Sequence, residues 1–218
     1  MGEQFSARDL TRVMLAASSN DAAYALAEAV TGKLTQNNDV GTARQVAETG
    51  TVSGGKTGTT DEAHADEARA LEPFITLMDQ MAEQLGFANM EFLNPTGLDE
   101  SDALSGAYGT AHDVARLAMQ VVAEDSEVIE LTRSAAFRVT SRNGHEHRFK
   151  NTNTILSQIP GIIGTKTGFT DLAGGNLLVL FDVGVHHPVI AVVLGSSLEG
   201  RFTDMMQLVN ATYALFAR

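Results

Sequence analysis

The amino-acid sequence predicts an α+β domain, with helices in the first part of the chain and an antiparallel sheet in the second. Apolar residues recur at helical spacing before residue 131, whereas short apolar runs bounded by turn residues follow from residue 135. The apolar runs do not alternate with helices, which argues against a parallel sheet. A length of 218 residues allows one such domain, and we expect residues 1–218 to form it.

The first helices are indicated by their ends and by their apolar faces. Ser6 can cap the first helix through Asp9, and Gly32 is expected to end the second. Apolar residues from Phe74 to Leu85 share one face of a third helix. The predicted helices cover residues 6–17, 21–30, 74–85, 110–123 and, as a short segment, 127–131.

Residues 33–70 differ in character from the helices around them. This stretch is rich in Thr, Gly, Asn, Asp, Glu and Ala, and it has few large apolar residues and no sustained period. We expect a mobile insertion, with a short helix at residues 61–71.

The strands are predicted from turn signals. Asn143-Gly144 is a strong hairpin signal between strands at 135–141 and 145–150. Three further apolar runs predict strands at 162–167, 176–183 and 188–194, and a final helix is expected at 202–216.

Composition excludes several kinds of function. The formal charge is −12 and no basic stripe is present, which argues against a nucleic-acid partner. The absence of cysteine excludes disulfides and thiolate sites. No apolar run is long enough to span a bilayer, and residues 1–5 have neither the basic region nor the apolar stretch expected of a signal peptide.

Two short motifs carry the chemistry. Ser18-Ser19-Asn20 has the pattern Ser-x-Asn at a break between helices, and Lys166-Thr167-Gly168 ends a predicted strand. A serine hydroxyl becomes reactive when an adjacent base removes its proton, and a desolvated neutral lysine can act as that base. In penicillin-recognising serine enzymes these two boxes follow a Ser-x-x-Lys box that holds the nucleophile.

The surrounding segments resemble low-molecular-mass penicillin-binding proteins, the serine-type D-alanyl-D-alanine carboxypeptidases. The resemblance covers about four-fifths of the chain. It rests on the lead into Ser18-Ser19-Asn20-Asp21, Asn94-Pro95-Thr96-Gly97-Leu98-Asp99, Thr110-Ala111-His112-Asp113, Asn151-Thr152-Asn153, Gly164 to Thr170, Ala173-Gly174 and Arg201-Phe202.

This resemblance implies a β-lactamase/DD-peptidase fold, an antiparallel sheet flanked by helices beside a helical lobe. It implies that Ser18, Asn20 and Lys166 are catalytic and that Thr167, Gly168, Phe169 and Arg201 bind substrate. The implied reaction releases the terminal D-alanine of a peptidoglycan pentapeptide through an acyl-enzyme, outside the cytoplasm and without metal or cofactor. β-Lactams are the implied inhibitors.

The chain departs from the family in two respects, which are the insertion at residues 33–70 and the place of its Ser-x-x-Lys box. Its only Ser-x-x-Lys is Ser53-Gly54-Gly55-Lys56, which follows the Ser-x-Asn box and contains two helix-disfavouring glycines. We therefore expect that the N-terminal strands and the nucleophile helix are missing and that the chain is inactive as given. We also expect self-association, or complementation by the missing segment, because apolar surface and an unpaired strand edge at 188–194 would be exposed.

Two alternatives remain at this stage. One is a non-catalytic module of the same fold that binds peptidoglycan or a partner through Lys166 and Arg201. The other is a nucleotide site, because Gly50 to Thr57 satisfies Gly-x-x-x-x-Gly-Lys-Thr, although residues 43–49 are too polar for the buried strand that such a loop requires. His145 and His147 are expected to face solvent rather than bind a metal, since no Asp or Glu lies at a suitable spacing.

Overall fold

A computed structural model describes residues 2–37, 51–53, 61–184 and 186–217. The chain forms two compact units. The first contains residues 1–14, 19–108 and 138–148, and the second contains residues 15–18, 109–137 and 149–218.

The first unit contains a pair of helices with an alanine-rich contact. The pair consists of α2 (Asn20–Asn37) and α3 (Asp61–Gln84), which pack against each other. Helix α1 (Ala7–Ala16) also begins in this unit. Small buried side chains on α2 let the helix backbones approach closely. Two short antiparallel pairs also belong to this unit: β1 (Gln4–Ser6) with β2 (Thr51–Ser53), and β3 (Glu91–Phe92) with β4 (Ala107–Tyr108). The buried residues of α2 are Ala22, Ala23, Ala25 and Ala27.

Two helix boundaries in this unit differ from the sequence-based expectation. Helix α2 continues through Gly32 to Asn37, and α3 is one helix from Asp61 that contains Pro73, instead of two separate segments. Glycine and proline disfavour helix interiors, but burial of Leu71 and Leu77 on α3 outweighs that preference. Residues 38–50 and 54–60 lie outside the described residues, and the mobility of the insertion stays a prediction.

The second unit is built around a three-stranded antiparallel sheet. Its strands are β7 (Ile162–Thr170), β8 (Gly174–Asp182) and β9 (Pro188–Ser196), with β8 in the centre. Helix α4 (Ala111–Glu130) packs against β7 and β9, and helix α5 (Gly200–Phe216) packs against β8 and β9. The predicted strands and final helix are confirmed, each slightly longer than expected.

Strand β8 is buried on both faces because the sheet lies between two helices. Successive side chains of a strand point to opposite faces, so β8 contributes to two cores. One core contains Leu177, Val179 and Phe181 together with Phe202, Met205 and Val209 of α5. The other contains Leu178 and Leu180 together with Ala118 and Ile129 of α4.

The predicted turns and caps are present as well. Ser6 Oγ accepts the N–H of Asp9 at 3.0 Å, which caps α1. Strands β5 (Ala136–Thr140) and β6 (Glu146–Lys150) form the hairpin, and Gly144 has φ +84°, a conformation that favours glycine. Asp125 has non-helical dihedrals inside α4, at the predicted break before residue 127.

Candidate active site

Ser18 and Lys166, from the two motifs, lie in contact in the second unit. Lys166 on β7 has its Nζ 2.9 Å from Ser18 Oγ, and the same Nζ donates to the carbonyl of Thr167. Burial, together with a smaller contribution from the positive charge of Arg201, lowers the pKa of Lys166 to about 8. The ammonium form of Lys166 therefore predominates at pH 7, and the neutral form increases as the pH approaches 8.

The hydroxyl of Ser18 is not the cap of the following helix. That role belongs to Ser19, whose Oγ accepts the N–H of Ala22 at 3.3 Å. Ser18 has φ +54°, a left-handed conformation that costs a non-glycine residue on the order of 1–3 kcal/mol. The strained backbone presents an exposed hydroxyl to Lys166.

The guanidinium group of Arg201 lies against β7, the strand that carries Lys166-Thr167-Gly168. Arg201 is the second residue of α5 and is 8% exposed, and its Nη1 donates to the carbonyl of Gly168 at 2.6 Å. Its Nε is buried and has no hydrogen-bond partner among the described residues. Burial lowers the pKa of Arg201 and the Glu199 carboxylate opposes that effect, but arginine keeps its proton in proteins. Lys166 and Arg201 thus place two cationic side chains beside Thr167 and Gly168.

The outer edge of β7 offers backbone donors. Thr165 N–H points away from β8, since it donates to Thr132 Oγ1 at 2.7 Å. Because amide directions alternate along a strand, the N–H groups of Thr167 and Phe169 share that edge. Gly168 has room for a Cβ, which would lie 3.5 Å from Asn176 Cβ. The fold itself therefore does not require glycine at position 168.

A buried network of hydrogen bonds connects β7 to the residues after α4 and to β8. Thr132 is fully buried, and its hydroxyl donates to Ile129 O at 2.6 Å while accepting the N–H of Thr165. Thr165 Oγ1 in turn contacts Asn153 Nδ2 and donates to Leu178 O, each at 2.9 Å. These bonds fix the backbone immediately before Lys166.

Replacing Thr132 with valine is expected to destabilise the protein by about 1–3 kcal/mol, because the N–H of Thr165 would lose its acceptor in a buried place. Equilibrium urea unfolding measures this loss. Thr140→Val, at an exposed strand position, is the matched control and should change stability by less than about 0.5 kcal/mol. Equal effects of the two variants would show that the network does not stabilise β7.

The other sequence-predicted residues have different places. Asn20 is the first residue of α2 in the first unit, and its catalytic role stays a prediction. Ser53 lies in β2, while residues 54–56 of the Ser-x-x-Lys match are outside the described residues. Most of the Gly50–Thr57 loop is also outside them, so the nucleotide-site alternative stays untested.

The expectation for the histidine pair is partly corrected. Glu3, distant in sequence, has Oε1 3.1 Å from His145 Nδ1 and Oε2 2.6 Å from His147 Nε2. His145 is exposed as predicted, whereas His147 is half-buried and packs edge-on against Phe5. The carboxylate of Glu3 thus contacts the imidazole rings of both His145 and His147. The spacing of these residues in the sequence could not reveal this contact. Within the described part of the chain, no group of His, Asp or Glu side chains is arranged to hold a metal ion.

The sequence did not predict a role for Thr152, which joins the segment before Ser18 to β7. Thr152 has its Oγ1 2.5 Å from Thr167 Oγ1, and its N–H donates to Ala16 O at 3.0 Å. The motif Asn151-Thr152-Asn153 marked this segment, but nothing in the sequence assigned the hydroxyl a partner.

None of the helices in the described ranges has both the length and the apolar character needed to cross a membrane.

Solved structures identify the fold as that of the DD-peptidase class of penicillin-binding proteins. The Streptomyces K15 DD-transpeptidase superposes with a TM-score of 0.67 at 24% identity, covering 95% of this chain and 67% of that chain. Penicillin-binding protein D2 of Listeria monocytogenes, in the ampicillin-bound form, gives 0.64 at 27% identity, covering 94% and 67%. The predicted fold class is confirmed.

Sequence comparisons give the family. The D-alanyl-D-alanine carboxypeptidase family, peptidase S11, matches residues 66–197, and the chain belongs to it. Relatives include the D-alanyl-D-alanine carboxypeptidases DacF of Bacillus subtilis (strain 168), at 26% identity over 97% of this chain, and DacC of Escherichia coli (strain K12), at 27% over 99%. The chain spans only 44% and 42% of the lengths of these two relatives.

Proposed function

We propose that this chain provides the proton-transfer and carboxylate-binding groups of a serine-type D-Ala-D-Ala carboxypeptidase that acts on peptidoglycan stem peptides outside the cytoplasm. The observation that carries the proposal is the 2.9 Å contact between Ser18 Oγ and Lys166 Nζ, at a lysine whose pKa is lowered to about 8. Family membership supplies the reaction class, since the matched family is named for this activity.

The Ser18–Lys166 pair suits the proton transfer that amide cleavage needs. When the nucleophilic serine attacks the penultimate D-alanine carbonyl, its hydroxyl proton would pass to the lysine of its own Ser-x-x-Lys box and a C–O bond forms. The C–N bond then breaks, and the leaving amine must gain a proton. Ser18 can donate its hydroxyl proton to that amine and regain one from the Lys166 ammonium. A water molecule then attacks the acyl-enzyme and gives one proton to the Ser18–Lys166 pair, which restores the Lys166 ammonium. The nucleophilic serine regains its own proton from the lysine of its box as it leaves. Asn20 is proposed to hydrogen-bond the substrate.

The cationic end of the site suits the terminal carboxylate of the substrate. Arg201 has a buried Nε without a partner among the described residues, and a buried unpaired donor costs about 1–3 kcal/mol. A bound carboxylate could relieve this cost. The Thr167 hydroxyl would donate to it, and Gly168 would let the peptide approach β7. The N–H of Phe169, on the open edge of the strand, is proposed to stabilise the oxyanion.

β-Lactams are proposed as acylating inhibitors of the complete site. The Listeria protein D2, similar in fold, was solved in ampicillin-bound and cefotaxime-bound forms. A β-lactam carboxylate has the same charge as the terminal D-alanine carboxylate, so it would occupy the same pocket beside Lys166 and Arg201.

We further propose that residues 1–218 form no acyl-enzyme on their own, because Ser18 relays protons and the only Ser-x-x-Lys begins at Ser53. Fluorescent penicillin labelling, followed by peptide mass spectrometry, tests this. The expected result is no adduct, with labelling appearing when a family Ser-x-x-Lys segment is supplied in trans. An adduct on Ser18 or Ser53 would overturn the assignment of roles.

The non-catalytic binding module is the second candidate. The observation that favours it is that Lys166, Thr167 and Arg201 belong to one compact unit, so carboxylate binding does not depend on the nucleophile. Persistent peptide binding without labelling, even after a Ser-x-x-Lys segment is added, would support this candidate over the carboxypeptidase.

A further inference from the structure

Thr152 contacts two parts of the site at once. Its N–H donates to Ala16 O at 3.0 Å, two residues before Ser18, and its Oγ1 lies 3.4 Å from the same carbonyl. Its Oγ1 is also 2.5 Å from the Oγ1 of Thr167, which is only 5% exposed. Thr152 therefore links the end of α1 to β7 through one backbone bond and one hydroxyl.

The protons of the two hydroxyls can be arranged in two ways. If Thr167 donates to Thr152, then Thr152 is left with only the long 3.4 Å contact to Ala16 O for its own proton. If Thr152 donates to Thr167, it makes the short bond and the proton of Thr167 stays available for another acceptor. An anionic ligand favours the second arrangement, because hydrogen bonds to a charged acceptor are about twice as strong as neutral ones.

We propose that Thr152 is a positioning residue that orients the Thr167 hydroxyl as a donor to the ligand carboxylate. This inference rests on the proposed carboxylate site and adds a residue to it. Thr152 itself does not touch the ligand; it satisfies the acceptor side of Thr167 so that the only hydroxyl proton of Thr167 points into the site. The ammonium of Lys166 and the guanidinium of Arg201 supply charge, and the Thr167 hydroxyl supplies direction.

Two variants of Thr152 separate the effect of its hydroxyl group from the effect of its side-chain shape. Thr152→Val keeps the size and the β-branch but removes the donor, whereas Thr152→Ser keeps the donor and removes a methyl group. The backbone bond to Ala16 survives in both variants, so the α1 end stays tied to this segment. Thr154→Val, two residues along the chain at an exposed position, is the matched control.

An NMR titration of the full chain tests the inference, with the amide signals of Gly168 and Phe169 as reporters. The probes are N-acetyl-D-Ala-D-Ala and its C-terminal amide, which lacks the carboxylate. We expect Thr152→Val to bind the carboxylate peptide about tenfold more weakly, the effect of one hydrogen bond. Thr152→Ser and Thr154→Val should bind like the wild type. The amide peptide should bind equally weakly to all four proteins.

The possible failures are distinguishable. If the wild type prefers the carboxylate peptide and Thr152→Val binds it as tightly, the inference is wrong while the carboxylate site stands. If the wild type shows no preference, the proposed function fails and the inference fails with it. Thr152→Ala serves as a second variant without the hydroxyl, and if both hydroxyl-free variants lose the fold, Thr152 is structural and the inference is wrong.

Discussion

Lys166→Met is expected to be more stable than the wild type at pH 7, and the difference should shrink as the pH rises. The folded protein lowers the pKa of Lys166 from 10.5 to about 8. Between these two values the unfolded chain binds more protons than the folded chain, so wild-type stability rises with pH in that window. Below pH 8 the folded wild type bears the full cost of a desolvated ammonium beside Arg201, of the order of 3 kcal/mol for a pKa lowered from 10.5 to about 8. Methionine carries no such cost.

Urea unfolding of both proteins at pH 7, 8.5 and 9.5 measures this difference. Groups that titrate in both proteins cancel, so the change with pH reports Lys166 alone. Lys150→Met, at an exposed strand position, is the control and should show no such trend. A stability difference between Lys166→Met and wild type that is constant across the range would contradict burial as the cause of the lowered pKa. The variant is also expected to lose carboxylate binding, which would show that a functional group is retained at a cost in stability.

Gly164→Ala is expected to lose the most stability of any single methyl addition on β7. A Cβ at this position would lie 2.5 Å from the backbone oxygen of Ile129 and 2.6 Å from its Cγ1. Neither strand nor helix end can yield easily, since Ile129 is buried in the core between α4 and the sheet. We expect a loss of about 3 kcal/mol, at the upper end of overpacking effects.

Gly168→Ala is the matched comparison, four residues further along the same strand. Its Cβ would make an ordinary 3.5 Å contact with Asn176, so thermal unfolding should be nearly unchanged. The added methyl group would instead obstruct a peptide that approaches β7. Gly164→Ala should therefore reduce the free energy of unfolding, and Gly168→Ala should reduce peptide binding. The opposite pattern would show that the ligand does not approach this strand.

Local patterns made the central sheet strand, the hairpin and the first helix cap predictable. The apolar run of β8 predicted a buried strand, the Asn143-Gly144 pair predicted the hairpin of β5 and β6, and Ser6 with Asp9 predicted the cap of α1. Each of these signals acts between residues close in sequence. The proximity of Ser18 and Lys166 could also be expected, because the family resemblance assigns both residues to one site. The structure places Ser18 Oγ and Lys166 Nζ 2.9 Å apart.

The features that could not be predicted depend on contacts between distant segments. Helix α2 passes Gly32 because α3 packs against it, which no local propensity records. Thr152 meets Thr167, and Glu3 meets His147 across 144 residues, only after folding has brought the segments together. The left-handed backbone of Ser18 was likewise invisible in the sequence, because serine does not signal a positive φ.

The most direct test of the proposed function is the wild-type titration with N-acetyl-D-Ala-D-Ala and its C-terminal amide, followed at the amides of Gly168, Phe169 and Arg201. If this chain holds the carboxylate-binding half of a D-Ala-D-Ala carboxypeptidase site, the free carboxylate should give saturable shifts at all three, and the amide should give weaker ones. Identical responses to the two peptides, or no response at β7, would contradict the proposal.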